Sequence, residues 1–162
     1  MSAVLQSHEV LRPMTGQDLD AVMQIEQETY HFPWTRGIFQ DCLRVGYGCW
    51  VYEVADKVQA YAVMSNGAGE AHILTLVVKK SARGCGIGKL MLRFMLDQAR
   101  RYAVETVLLE VRPSNPVAIA LYRNHGFNEL GLRPNYYPSE DGREDALIMA
   151  LSFADEQYEF LT

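Results

Sequence analysis

No apolar run in the 162 residues approaches the roughly 18 residues that a membrane-crossing helix requires. Cysteine is scarce: Cys42, Cys49 and Cys85 make an odd set with no CxxC spacing, so neither a disulfide framework nor a structural zinc site is expected. The 4 histidines, His8, His31, His72 and His125, are scattered, and no HExxH or comparable ligand pair appears, so no metal is expected. An excess of positive charge is missing as well. The formal net charge of −5 argues against nucleic acid as a direct ligand and suits a cationic partner better. Repeats, low-complexity tracts and linker-like stretches are absent, and nothing specifies an oligomer. The opening "MSAVLQSHEV" has neither the charged nor the apolar region of a secretory signal, so a cytoplasmic location is expected.

What remains is an ordinary globular composition, 49% hydrophobic and 22% charged, in a chain long enough to bury a sizeable core as one domain. "EVLRPM" reads as a short strand. "TGQDLDAVMQIEQETY" reads as a helix capped by Thr15, with Leu19, Val22, Met23 and Ile25 at helical spacing. Pro33 in "HFPWT" breaks it, and a second short helix follows Thr35 through Ile38 to Leu43. Three strands come next, "CWVYEVA", "KVQAYAVMSN" and "AHILTLVVKK", with turns at Asp56-Lys57 and in "NGAGE". Trp50, inside the first of them, is expected in the core. A helix follows to about Tyr102, with Leu90, Met91, Phe94, Met95 and Ala99 on its apolar face. "TVLLEV" is expected to be a central strand covered on both faces. Asn115 as cap, Pro116 at the first helical position and Gly126 past the end punctuate another helix. Two strands in "FNELGLRPNYY" and "DALIMALSF" complete the order β-α-α-β-β-β-α-β-α-β-β, a mixed α/β (α+β) sheet with helices.

The stretch "RGCGIGKLML", Arg83 to Leu92, opens a helix with three glycines in five positions. A nucleotide P-loop fails here twice: position 83 is arginine where glycine is needed, and position 90 is leucine where serine or threonine is needed. A dinucleotide fingerprint starting at Gly84 fails at Lys89 and lies too late in the chain. A strand, a basic residue and glycines that free the backbone N–H groups of a helix start make a pyrophosphate cradle, or else simply a tight turn.

The pattern Arg83-x-x-Gly86-x-Gly88 resembles the acetyl-CoA motif of the GCN5-related N-acetyltransferases. "EVRPSNPVAIALYRNHGF" and "NYYPSEDGREDALIMAL" resemble the C-terminal half of the RimI-type ribosomal-protein-alanine N-acetyltransferases, and "HFPWT" is similar to that group's substrate loop. The resemblance covers about residues 9 to 153 of a single domain. It implies the acetyltransferase fold: a mostly antiparallel sheet, helices on both faces, and a splayed parallel strand pair that admits acetyl-CoA. By the same resemblance, backbone groups of Cys85, Gly86, Ile87, Gly88 and Lys89 would cradle the pyrophosphate. Arg83 would add charge, while Leu76, Val77 and Val78 would line the pantetheine arm. Cys85 is then a small tolerated side chain, not a nucleophile.

Acetyl transfer requires a neutral amine, and an α-amino group with pKa about 7.7–8.0 is far more often neutral than a lysine at about 10.4. Glu110, closing the apolar run "TVLLE", is the candidate base, and the resemblance assigns it that role; on residues alone it could equally pair with Arg112 or another cation. Tyr122 is implied as the acid for the departing thiolate, against an ordinary half-buried tyrosine. Asn115 would both cap its helix and bond the pantetheine region. His72 departs from the resemblance and is a candidate auxiliary base through a water, or a structural residue at a strand start.

For the substrate, Phe32, Pro33 and Trp34 form an aromatic loop, and Tyr136 with Tyr137 resembles the paired tyrosines that cover N-terminal peptides; both clusters could be core packing. Asp141 and Glu144 are candidate partners for an arginine at the substrate's second position. Asp155, Glu156 and Glu159 extend the late run of acidic residues, which is either a solvated surface or a cation-binding one. The implied activity is acetylation of the N-terminal alanine of a basic ribosomal protein, the small-subunit protein numbered eighteen. A broader lysine or small-amine acetyltransferase and a non-catalytic acyl-CoA-binding module are the alternatives.

Overall fold

The computed structural model describes residues 8–154, so Asp155, Glu156 and Glu159 lie outside the described residues. The elements run in the expected order: β1 (Glu9–Pro13), α1 (Leu19–Thr29), α2 (Arg36–Val45), β2 (Gly48–Val54), β3 (Lys57–Gly67), β4 (Glu70–Val78), α3 (Ile87–Arg101), β5 (Thr106–Val111), α4 (Pro116–Asn124), β6 (Asn128–Ser139) and β7 (Gly142–Ser152). The strands are hydrogen-bonded in the order β1-β2-β3-β4-β5-β7-β6. Two-residue turns join β2 to β3 and β3 to β4, which makes those neighbours antiparallel. β5 pairs antiparallel with β7 and β6 with β7, whereas β4 and β5 are parallel. A mixed α/β sheet with one parallel pair is the result.

The chain forms two compact units. The first runs to Val63 and resumes over Thr75–Met91; the second holds Met64–Leu74 and the chain from Leu92 onward.

In the first unit, the forked Arg12 guanidinium of β1 bonds both oxygens of Asp18 at 2.7 and 2.8 Å, and both oxygens of Glu53 on β2 at 3.1 Å. Asp18 also accepts the Thr15 N–H at 2.8 Å, so it closes the turn that opens α1. The buried stripe of α1 is Leu19, Val22, Met23, Ile25 and, unexpectedly for its charge, Glu26. Thr35 caps α2 by accepting the Ile38 N–H, and Gly46 ends it at φ +82°. The turn after β2 uses Ala55 and Asp56, both left-handed at φ 51° and 64°, one residue earlier than the expected Asp56-Lys57. Trp50 is half-exposed, not core. Its ring lies across Gly48, where an added Cβ would sit 2.2 Å from the indole.

In the second unit, the β5 side chains alternate. Val107, Leu109 and Val111 are buried, whereas Thr106, Leu108 and Glu110 are only half-buried. The strand is therefore not covered equally on both faces, and Glu110 stands on the more open one. α4 is built as its punctuation indicates: the Asn115 side chain accepts the Ala118 N–H at 3.2 Å, and Gly126 adopts φ +93°. α3 buries Met91, Leu92, Met95, Leu96 and Ala99, a stripe turned away from the expected one, since Leu90 is 43% exposed. Cys42 and Cys49 are buried free thiols, and burial pushes the Cys49 thiol up to about 11. No helix among the described residues is long and apolar enough to cross a membrane.

Candidate active site

Parallel pairing places His72 of β4 opposite Leu108 of β5. Glu110 lies two residues beyond Leu108 and so projects from the same face of the sheet. The result is a contact of 2.7 Å between His72 Nε2 and Glu110 Oε2, with the Glu110 side chain 12% exposed and His72 33% exposed. The other carboxylate oxygen, Oε1, faces the Arg133 guanidinium of β6 at 3.8 Å. Glu110 is therefore partnered by a titratable imidazole and, more loosely, by a cation. Arg112, the partner that the strand sequence suggested, is engaged elsewhere.

Pairing of β4 with β5 ends at Ile73 and Leu109, while β4 continues to Val78 and β5 to Val111.

Tyr122 lies on α4, 7% exposed, more deeply buried than a half-buried surface tyrosine. Its ring meets Phe127 edge-on at 5.6 Å, and its carbonyl accepts the N–H groups of both His125 and Phe127 as the helix ends. The ring position is thereby held by the helix terminus.

Tyr136 and Tyr137 are neighbours in sequence, yet their rings touch edge to face at 4.8 Å. In a regular strand they would point to opposite faces. Left-handed Asn135 (φ 53°) and a register shift between Arg133 and Tyr137 bring them together. Arg133 stacks on Tyr136 at 5.2 Å and Arg112 on Tyr137 at 4.4 Å. Arg112 also donates to the Pro138 carbonyl and to Glu144, each at 3.1 Å, and Glu144 accepts the Ser114 N–H at 3.1 Å. Hydrogen bonds from Ser114 and then the Arg112 guanidinium hold the Glu144 carboxyl below the usual carboxylate range. Glu144 is thus a brace between β7, Arg112 and the start of α4, the carboxylate that was expected to partner a substrate arginine. Asp141 remains exposed at the β6–β7 turn.

In the first unit, Gly84 and Gly86 both adopt φ +82°, and a Cβ at either would meet nothing within 4 Å. The glycines are required by backbone conformation, and the turn is left sterically open. The first bond of α3 runs from Leu90 N–H to the Gly86 carbonyl, so the N–H groups just before Leu90 have no partner within the helix. Arg83 donates its Nε–H to the Val78 carbonyl at 3.1 Å, tying the turn to the end of β4. Cys85 is exposed. An open turn, N–H groups with no partner within the helix and a positive helix end fit a pyrophosphate.

The aromatic loop is also in this unit. Phe32 is 46% exposed and Pro33 exposed, while the Trp34 ring packs on Phe39 at 5.2 Å, which in turn packs on Tyr61 at 5.7 Å. Beneath the loop lies Glu26, 2% exposed; it accepts the Trp34 N–H at 3.0 Å and the Tyr61 hydroxyl. Burial pushes the Glu26 carboxyl up, and these two donors pull it back. Glu26, Arg112 and Arg133 were not picked out as site residues from the sequence; the one available signal was a carboxylate set within the apolar stripe of α1.

Residues 19–127 match the Acetyltransferase (GNAT) family. The chain is 40% identical over 134 residues to the [ribosomal protein bS18]-alanine N-acetyltransferase of Escherichia coli, covering 83% of this chain and 90% of that one. The crystal structure of the ribosomal-protein-S18-alanine N-acetyltransferase from Escherichia coli superposes with a TM-score of 0.84 at 36% identity, over 90% of this chain and 94% of that one. Ard1 from Thermoplasma volcanium superposes with a TM-score of 0.81 at 29% identity, over 89% and 97%. Together with the open glycine turn and the mixed sheet, these matches establish that the chain belongs to the acetyltransferase (GNAT) family.

Proposed function

We propose that this acetyltransferase acts, as one domain in the cytoplasm, on the N-terminal alanine of ribosomal protein bS18. The single observation that carries the chemistry is the 2.7 Å contact between His72 and Glu110 on the more open face of β5. The likeness to the Escherichia coli enzyme supports the choice of substrate.

Acetyl-CoA supplies an acetyl group already activated as a thioester. The glycine turn, through N–H groups from Cys85 to Lys89, holds the pyrophosphate, with Arg83 alongside and Leu76, Val77 and Val78 along the pantetheine arm. Asn115 contributes from the cap of α4.

Glu110 and His72 accept the proton that the attacking amine loses as its nitrogen bonds to the acetyl carbon. With Nε2–H directed at Glu110, the His72 ring keeps Nδ1 free to accept a proton, directly or through water, and Glu110 then stabilises the imidazolium. Tyr122 donates its phenolic proton to the sulfur as the carbon–sulfur bond breaks. The free thiol and the amide are the products, and the base pair returns its proton to Tyr122 through solvent. A positioned base of this kind contributes roughly 10²- to 10⁴-fold. Because an α-amine is neutral at much lower pH than a lysine, an N-terminal substrate asks less of the base.

Phe32, Pro33 and Trp34 contact the peptide, and Tyr136 and Tyr137 cover its backbone. Asp141 provides the exposed carboxylate for a basic residue that follows the alanine.

Two peptides test the reading, with the acetyl group located by mass spectrometry. One begins Ala-Arg with a free N-terminus; the other has a blocked N-terminus and added internal lysines. Exclusive labelling of the first amine is expected. Preferential lysine labelling would overturn the substrate, and no transfer with retained acetyl-CoA binding would favour a non-catalytic acyl-CoA-binding module.

A further inference from the structure

Glu26 is a buried carboxylate whose acting partners are both neutral. Asp18, the other buried acid among the described residues, is paired with the Arg12 guanidinium. The groups acting on Glu26 are the Tyr61 hydroxyl and the Trp34 N–H. Removing a carboxylate from water without a cation is costly, so its location calls for an explanation.

The hydrogen bonds supply one. The Glu26 carbonyl accepts the Tyr30 N–H at 3.0 Å as α1 ends. Its carboxylate accepts the Trp34 N–H, also at 3.0 Å. One residue therefore bonds the first and last positions of the segment Tyr30-His31-Phe32-Pro33-Trp34. Pro33 has no N–H to donate, and Phe32 is exposed with its ring against His31 at 4.9 Å. A cavity of about 520 Å³ lies beside it, bordered by Met23, Gln24 and Gln27 of α1 and by Pro33 and Trp34, so packing does not hold that side. Tyr61, fully buried on β3, anchors the carboxylate from below, and the ring series Trp34–Phe39–Tyr61 returns to the same point.

We propose that Glu26 is a positioning residue for the amine substrate, clasping both ends of the Tyr30–Trp34 loop so that Phe32, Pro33 and Trp34 are presented in one conformation. This rests on the reading that the loop contacts the peptide. The fixed loop binds without an ordering cost, so the clasp acts on peptide affinity and not on the chemical step.

The test measures steady-state kinetics of E26L, E26Q and W34A on the Ala-Arg peptide, with acetyl-CoA binding as a check on folding. E26L has no acceptor and is expected to raise the peptide KM by at least about tenfold, leaving kcat and the acetyl-CoA KM within about threefold. E26Q restores binding, because its amide oxygen accepts the Trp34 N–H and its NH₂ faces the Tyr61 oxygen. If W34A raises the peptide KM but E26L does not, the clasp is overturned and the loop reading stands. If W34A also leaves the KM unchanged, the loop reading itself fails, and the clasp with it. Should E26L not fold, amide hydrogen exchange of Trp34 in the wild-type protein decides: protection above the unfolded-peptide rate is expected, and exchange at that rate overturns the proposal.

Discussion

His72 and Glu110 meet at 2.7 Å because strands β4 and β5 run parallel, in a register that puts His72 opposite Leu108. An antiparallel pairing of the same strands would not bring this imidazole to this carboxylate by the same register. The parallel pair is thus what turns two residues separated by 38 positions into one hydrogen-bonded pair.

If the two act as a unit, E110Q and H72F should be strongly non-additive. E110Q is expected to lower kcat by about 10²- to 10³-fold with acetyl-CoA affinity retained. H72F should lower it by a smaller factor, and the double variant should fall little below E110Q alone. Additive losses in the double-mutant cycle would mean that the two groups act independently.

Y122F removes the hydroxyl proposed as the acid but keeps the ring against Phe127 and the backbone bonds that end α4. The expected loss in kcat is about 10- to 10³-fold, and the helix should survive, with a stability change of no more than about 1.5 kcal/mol. Thermal unfolding monitored by circular dichroism, beside the kinetics, separates loss of the acid from loss of the fold.

The turn at Gly86 makes a different kind of prediction, since conformation and not space demands glycine there. G86A would hold alanine at φ +82°, which costs about 1–2 kcal/mol, and relaxation of that strain should redirect the N–H groups that follow. Isothermal titration is expected to show acetyl-CoA binding weakened at least about tenfold, with peptide KM little changed. Unchanged acetyl-CoA affinity would leave the turn without a role in holding the pyrophosphate.

Asp18 gives a pH signature of stability. Hydrogen bonds from Arg12 hold its folded pKa below the unfolded value of about 3.9. The stabilisation is therefore complete above about pH 4 and disappears as pH falls through the folded pKa. D18N should cost about 1.5–3 kcal/mol at pH 7, measured by urea unfolding, and the gap from wild type should close only well below pH 4. A gap that persisted undiminished into strong acid would assign the effect to packing.

Local punctuation made the fold readable: Asn115, Pro116 and Gly126 mark out α4, and Thr35 marks the start of α2. Burial on the two faces of β5 was not readable, because Leu108 and Leu109 are the same letter while only Leu109 is buried. Glu110 and His72 were visible as candidates, but their contact depends on strand register. Glu26 was missed for a different reason. Its partners lie 8 and 35 residues away, and one of them is a backbone N–H that no side-chain letter reports. The pairing of Glu144 was not legible, because a carboxylate in an acidic run carries no sign of Arg112, 32 residues earlier.

That pairing leads to a test of the paired tyrosines. Arg112 stacks on Tyr137, donates to the Pro138 carbonyl and pairs with Glu144, so one planar guanidinium holds the turn end of the β6–β7 hairpin. Lysine has the charge but not the fork or the planar stacking surface. The stacking alone is worth about 0.5–2 kcal/mol, and its loss takes the guanidinium off the Tyr137 ring while leaving Glu144 without its cation. R112A is therefore expected to raise the peptide KM by about tenfold, with the acetyl-CoA KM near wild type, and R112K should recover only part of the difference. Full recovery with lysine would show that charge at position 112, and not the stacked geometry, sustains the tyrosine pair.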